Sequence, residues 1–125
     1  VAFNSLGQIR YLSALNLVDM VVGNSSSGLI EVPSFKIPTI NIGDRQRGRI
    51  QSQTVISCNP RRESIVEAIK KGFSEEFREY INGAVNPYGE GGASSRIKDT
   101  LKKIDIGGGG NNFIKKEFYN IGRAQ

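Results

Sequence analysis

A chain of 125 residues is long enough for one compact domain with its own core, and 38% apolar with 23% charged residues is ordinary for a soluble globular protein. No run of about 18 apolar residues occurs, so no membrane span is expected. The net charge of +5 does not point to nucleic acid: basic pairs near 61–62, 70–71, 102–103 and 115–116 sit among acids, with no basic stripe interleaved with aromatics.

In chain order, Val1-Ala2-Phe3-Asn4 shows no basic region followed by an apolar stretch, so no signal peptide is expected. The start without an initiator Met is expected to mark a fragment. Residues 8–16 read as a helix with Leu6, Ile9, Leu12 and Leu15 as its apolar stripe. Asp19-Met20-Val21-Val22 reads as a buried parallel strand, stopped by the turn and cap residues of Gly23-Asn24-Ser25-Ser26-Ser27-Gly28. Leu29 to Phe35 follows as a short helix, kinked or curtailed by Pro33.

Pro38 to Ile42 is the next strand, ended by Gly43, and Thr54–Ser57 a third. Cys58, the single cysteine, cannot close an internal disulfide, which favours a reducing, cytoplasmic compartment; its plain structural role is a small buried apolar residue. Asn59-Pro60 reads as a helix start, with Asn as cap and Pro in the first turn. The helix after it carries Ile65, Val66, Ile69 and Phe73 on one face. Glu75–Ile81 is a further helix, 84–92 a turn-rich loop, and Ile97, Leu101 and Ile104 mark another amphipathic helix. Gly107–Gly110 is a flexible break. Beyond it, residues 111–125 space Ile114, Phe118 and Ile121 as a short amphipathic helix, or form a frayed end.

Strands alternating with helices predict an α/β domain with a parallel sheet. Three strands are few for such a sheet, which places its first strands upstream of Val1. Residues 1–106 are thus expected to be a partial domain, 107–110 a linker and 111–125 a tail.

The chemistry is concentrated between Asp19 and Arg49. Ligands of parallel α/β sheets bind beyond the carboxyl ends of strands, where the turn at 23–28 lies. Free backbone N–H groups and the dipole of the following helix attract anions there, and three hydroxyls add donors. Gly28 allows close approach to the backbone. Simple helix capping accounts for the same serines. Glu31 is placed to accept hydrogen bonds from sugar hydroxyls, although a carboxylate early in a helix is also favoured structurally. Asp44-Arg45-Gln46-Arg47-Gly48-Arg49 packs three arginines into a glycine-containing loop, where Arg suits phosphate or ribose. Glu31 and Arg45 flanking a hydroxyl-rich anion pocket point to a nucleoside diphosphate.

The blocks Val22-Gly23-Asn24-Ser25-Ser26-Ser27-Gly28-Leu29-Ile30-Glu31 and Pro33 to Arg49 closely resemble the hydrolysing UDP-N-acetylglucosamine 2-epimerases of sialic and legionaminic acid biosynthesis. The resemblance extends back through Gly7 to Leu12 and forward to Asn86-Pro87-Tyr88-Gly89, covering roughly residues 5–104. It implies a Rossmann-like parallel sheet with flanking helices, the second domain of a GT-B-type two-domain fold whose active site lies in the cleft between domains. By resemblance, Ser25 and Ser26 hold the diphosphate of UDP, Glu31 binds the ribose and Arg45 contacts the nucleotide. Tyr11 matches a position beside the uracil; by periodicity it borders the apolar stripe near Leu15, so core packing is its alternative. Leu6 offers its backbone to the base, and Asp44, Arg47 and Arg49 are given no contact.

The reaction so implied eliminates UDP to a glycal and adds water, giving N-acetylmannosamine. Its acid and base carboxylates belong to the N-terminal domain, and the family's phosphate-contacting histidine has no counterpart in a chain without histidine. The fragment alone is therefore expected to be inactive, to bind UDP or a UDP-sugar weakly, and to need no cofactor or metal. The full-length parent is expected to be a homo-oligomer. The alternatives are the donor-binding domain of a GT-B glycosyltransferase and a non-enzymatic α/β binding module.

Overall fold

The apolar runs that end in glycine or a turn become strands. In the computed structural model, which describes residues 1–104, β1 (Val21–Gly23), β2 (Thr39–Ile42) and β3 (Val55–Cys58) form a parallel sheet in the order β1-β2-β3. Val22 lies beside Ile40, and Ile40 beside Ile56. The middle strand is buried along Thr39, Ile40 and Asn41. At the edge, β1 differs from the expected buried strand: it is three residues long, and Val22 is 45% exposed because no strand pairs on its outer side among the described residues. Asp19 lies outside it, in an exposed ion pair with Arg78.

Helix α1 spans Gly7–Leu15, but only Leu15 is buried and Ile9 is 82% exposed. The expected stripe fails for a geometric reason. With 3.6 residues per turn, three-residue steps drift around the helix, and Ile9 and Leu15 stand about 120° apart. The segment after the turn divides in two: α2 (Ser27–Ile30) is one helical turn, and a 3-10 helix covers Val32–Phe35. Pro33 sits at the start of the second piece, where its missing N–H is harmless.

Helix α3 (Arg62–Phe73) packs across β2 and β3. It begins later than expected, because the Arg61 amide donates to the Asn59 carbonyl at 2.8 Å and Arg61 is extended; Asn59 is not its cap. Its buried positions are the small residues Ala68 and Gly72, while Val66 and Phe73 are largely exposed. A Cβ on Gly72 would lie 3.0 Å from Met20 Cε and 3.3 Å from Pro38 Cβ, so glycine sets the helix-to-sheet distance. Helix α4 (Glu75–Ile81) is capped by Ser74, whose hydroxyl accepts from the Phe77 amide. Phe77, Ile81 and Ala84 form a buried cluster against Ile56.

Residues Val1–Glu90 make one compact unit, and a second begins at Gly91. In the second, α5 (Ala93–Lys103) follows Gly92 at φ 72°, with Arg96 donating to the Gly91 carbonyl at 3.0 Å. Its apolar positions Ile97 and Leu101 are exposed. The linker at 107–110 and the tail at 111–125 lie outside the described residues.

Candidate functional site

The turn after β1 is held by its own backbone. The Ser25 carbonyl accepts from the Gly28 amide, and the Ser26 carbonyl accepts from both Leu29 and Ile30. Ser26 occupies the N-cap position, yet its hydroxyl makes no capping bond. The Ser25 hydroxyl reaches only the Ser27 amide, at a long 3.4 Å. The amides of Ser25 and Ser26 donate to no partner among the described residues. These donors, rather than a helix dipole, are what the turn offers an anion, because a single helical turn carries little macrodipole.

Two readings of this segment are corrected. Glu31 closes the single turn of α2 and stands at the N-terminal boundary of the 3-10 helix Val32–Phe35, so the helix start it marks is that of the second piece and not of the one that follows the turn. Gly28 is buried, and a Cβ there would meet Thr39 Cγ2 at 2.7 Å. The Thr39 hydroxyl also donates to the Gly28 carbonyl at 2.9 Å. Glycine at 28 therefore serves the close approach of α2 to β2, not of a ligand.

A cleft of about 500 Å³ opens between α1 and the turn, lined by Leu6, Tyr11, Leu12, Ser25, Ser27 and Glu31. The half-buried Tyr11 crosses it, its hydroxyl hydrogen-bonded to the Ser27 hydroxyl. Tyr11 is thus fixed from its polar end with its ring at the cleft. The structure brings Tyr11, Ser25 and Glu31 together; Ser26 and Arg45 do not line this cleft. Arg45 is exposed on the loop that follows β2.

The residue that sequence reasoning missed is Gln46. It lies among three arginines but is 3% exposed, and its Nε2 donates to the Asn24 carbonyl at 2.7 Å. That bond ties the 44–49 loop to the 23–28 turn, so the neighbouring Arg45 is carried on a braced segment. Its Oε1 is buried without a partner. An uncharged residue inside a basic loop was the available signal. Asn86 was also passed over: its Nδ2 donates to the Ile30 carbonyl at 2.8 Å and the Ser34 hydroxyl at 2.7 Å, while its Oδ1 accepts from the Tyr88 amide. It fastens the chain just before and after Glu31.

A second cavity, of about 610 Å³, lies at the carboxyl ends of β2 and β3, lined in part by Asn41, Asp44, Arg47, Gln51, Ser57 and Cys58. Burial pushes the Cys58 thiol up from its ordinary value. Among the described residues no His, Cys, Asp and Glu side chains gather as a metal site, and no helix is long and apolar enough to cross a membrane.

A parallel sheet covered by helices, with clefts at the carboxyl ends of its strands, defines a Rossmann-like α/β domain. The chain belongs to the UDP-N-acetylglucosamine 2-epimerase family, whose model matches residues 1–102. It is 39% identical over 115 residues to the polysialic acid biosynthesis protein P7 of Escherichia coli, covering 89% of this chain and 28% of that protein. Identity is 43% over 77 residues to the GDP/UDP-N,N'-diacetylbacillosamine 2-epimerase (hydrolyzing) of Campylobacter jejuni, 62% of this chain and 20% of the relative. The UDP-N,N'-diacetylbacillosamine 2-epimerase (hydrolyzing) of Legionella pneumophila is 32% identical over 97 residues, 78% of this chain and 25% of the relative. The chain thus spans 20–28% of the length of these relatives.

Proposed function

We propose that this chain is the nucleotide-holding portion of a hydrolysing UDP-N-acetylglucosamine 2-epimerase, from the second domain of a GT-B-type enzyme. The observation that carries this reading is the cleft in which Tyr11, Ser25 and Glu31 converge, in a chain of this family. The ring of Tyr11 offers a flat face to the uracil. The Ser25 hydroxyl and the free amides of Ser25 and Ser26 donate to diphosphate oxygens. Glu31 accepts from the ribose hydroxyls, and Arg45 adds positive charge from the braced loop.

In the reaction, a proton leaves carbon 2 of the sugar, UDP departs from carbon 1 to leave a glycal, and water then adds to give N-acetylmannosamine. The residues here hold the departing diphosphate and stabilise the charge that develops on it. The proton transfers belong to carboxylates outside this chain, so the chain alone is inactive. The parent is a cytoplasmic homo-oligomer supplying N-acetylmannosamine or a related sugar for sialic-type acids. The relatives named for diacetylbacillosamine and for GDP make the hexosamine and the base the points where family members diverge.

Calorimetric titration of the chain with UDP, GDP and inorganic phosphate tests the binding claim. UDP is expected to bind weakly but more tightly than phosphate, and equal or absent binding of the two rejects it. For the parent enzyme, release of free N-acetylmannosamine separates epimerisation from glycosyl transfer. Release of UDP from UDP-N-acetylglucosamine by the 125-residue chain itself would overturn its assignment as a non-catalytic portion.

A further inference from the structure

Asn41 is an unusual residue for the middle of a parallel sheet. It lies in β2 between Ile40 and Ile42 and is 3% exposed. Asn is disfavoured in strands, and a buried carboxamide loses water that its partners must replace. Its Nδ2 donates to the Ser57 hydroxyl at 3.2 Å, and that hydroxyl donates to Gln51 Oε1 at 3.2 Å. This relay leaves the Asn41 carbonyl oxygen and the Gln51 amide nitrogen without a partner among the described residues. An acceptor and a donor are thus both free on residues that line the second cavity.

We propose that this cavity, at the carboxyl ends of β2 and β3, is a subsite for the neutral, hydroxyl- and amide-bearing sugar of a sugar nucleotide, with Asn41, Ser57 and Gln51 as its polar floor. The inference rests on the nucleotide reading above and extends it to the sugar. Three features favour a neutral polyhydroxylated group over a second anion. The floor is made of carboxamides and a hydroxyl, which pair with sugar hydroxyls and an N-acetyl group in either direction. The charged lining residues, Asp44 and Arg47, are opposite in sign. The position is right for the remainder of a molecule whose nucleotide fills the neighbouring cleft. Both openings lie at the carboxyl edge of one sheet, and the Gln46–Asn24 bond joins their walls: Ser25, next to Asn24, lines one, and Arg47, next to Gln46, lines the other.

Cys58 supplies an internal reporter, because it lines this cavity and is the only cysteine of the chain. The rate of Cys58 alkylation by N-ethylmaleimide is followed by mass spectrometry, with UDP or UDP-N-acetylglucosamine at concentrations of equal occupancy set by calorimetry. At about 90% occupancy, UDP-N-acetylglucosamine is expected to slow alkylation ~10-fold, since only the open form reacts, while UDP leaves the rate near that of the free chain. Equal protection by UDP overturns the sugar assignment. Binding of UDP-N-acetylglucosamine without protection also overturns it, and leaves the nucleotide reading standing. Failure of both ligands to bind overturns the two together. Gln51→Ala and Ser57→Ala change exposed residues and should leave the fold intact. Each is expected to weaken UDP-N-acetylglucosamine ~3–10-fold while sparing UDP, the effect of a lost hydrogen bond. Equal weakening of both ligands, or of neither, counts against the subsite.

Discussion

Two regions of the Val1–Glu90 unit are built on different physics. Where α4 and the following residues meet β3, Phe77, Ile81, Ala84 and Ile56 pack as an apolar cluster. Around the candidate site the chain is fastened by single polar contacts: Thr39 to Gly28, Gln46 to Asn24, and Asn86 to Ile30. Apolar packing is non-directional and sums over area, so it supplies most of the stability without fixing a loop's orientation. A buried hydrogen bond contributes little net energy but is directional and costly to leave unmade. The site is therefore positioned by contacts that contribute less to keeping the domain folded than the apolar cluster does.

The largest expected effects lie in the apolar region. Ile81→Ala should destabilise the chain by about 2–5 kcal/mol, measured by urea denaturation. Ile9→Ala, at an exposed position, should stay within about 0.5 kcal/mol of the parent. Equal shifts for the two would mean that the cluster on α4 is not the core. Next comes the tight approach of α2 to β2. Gly28→Ala drives a methyl into the Thr39 methyl, which a β-branched strand residue cannot easily move aside, and should cost about 1–3 kcal/mol. Gly23→Ala meets nothing within 4 Å and is the control. If the two alanines behave alike, Gly28 has another role.

The difference between the regions also explains what the sequence revealed. The three strands and the helices after them were legible because apolar runs, glycines and helical periodicity report burial against a sheet. The strand bounds shifted by a residue or two, and β1 lost Asp19 and Met20. Periodicity misled at Ile9, where a three-residue spacing drifts off one face, and at Val66 and Phe73, where small Ala68 and Gly72 hold the buried side of α3 instead. In the site, the turn and Glu31 stood out by residue type, and the cleft joins Tyr11 to them. Gln46 was marked only by its lack of charge in a basic loop and Asn86 by nothing local, and neither sequence position tells which backbone carbonyl, 22 or 56 positions away, its side chain will hook.

Gln46→Leu is the direct probe of those hooks. It removes the bond to Asn24 and also an unpartnered buried oxygen, two opposing effects, so the stability change should be about 1 kcal/mol or less. UDP binding should nonetheless weaken ~3–10-fold as the 44–49 loop loosens, with faster amide exchange confined to residues 44–49 and 23–28. A stability loss as large as that of Ile81→Ala, with UDP binding unchanged, would make Gln46 a core residue and not a brace.

The smallest effect separates burial from distance along the chain. Asp19 and Arg78 are 59 positions apart, close to the 56 that separate Asn86 from Ile30, and both pairs join remote segments. The ion pair is long, at 3.4 Å, with the Asp19 side chain 70% and that of Arg78 47% exposed. Water and salt already solvate both charges, so Asp19→Asn should change stability by less than about 0.5 kcal/mol, and less still in 0.5 M salt. Asp19 is the cleaner partner to change, because Arg78 also lies over the Phe73 ring. Asn86→Ala, at equal chain separation, removes bonds to the Ile30 carbonyl and the Ser34 hydroxyl and should cost about 1–2 kcal/mol. If the two substitutions prove equal, the span of chain that a contact closes governs its effect. If they divide as expected, desolvation governs it, and the part-buried polar contacts around the cleft hold the site because they are more shielded from water than the ion pair is.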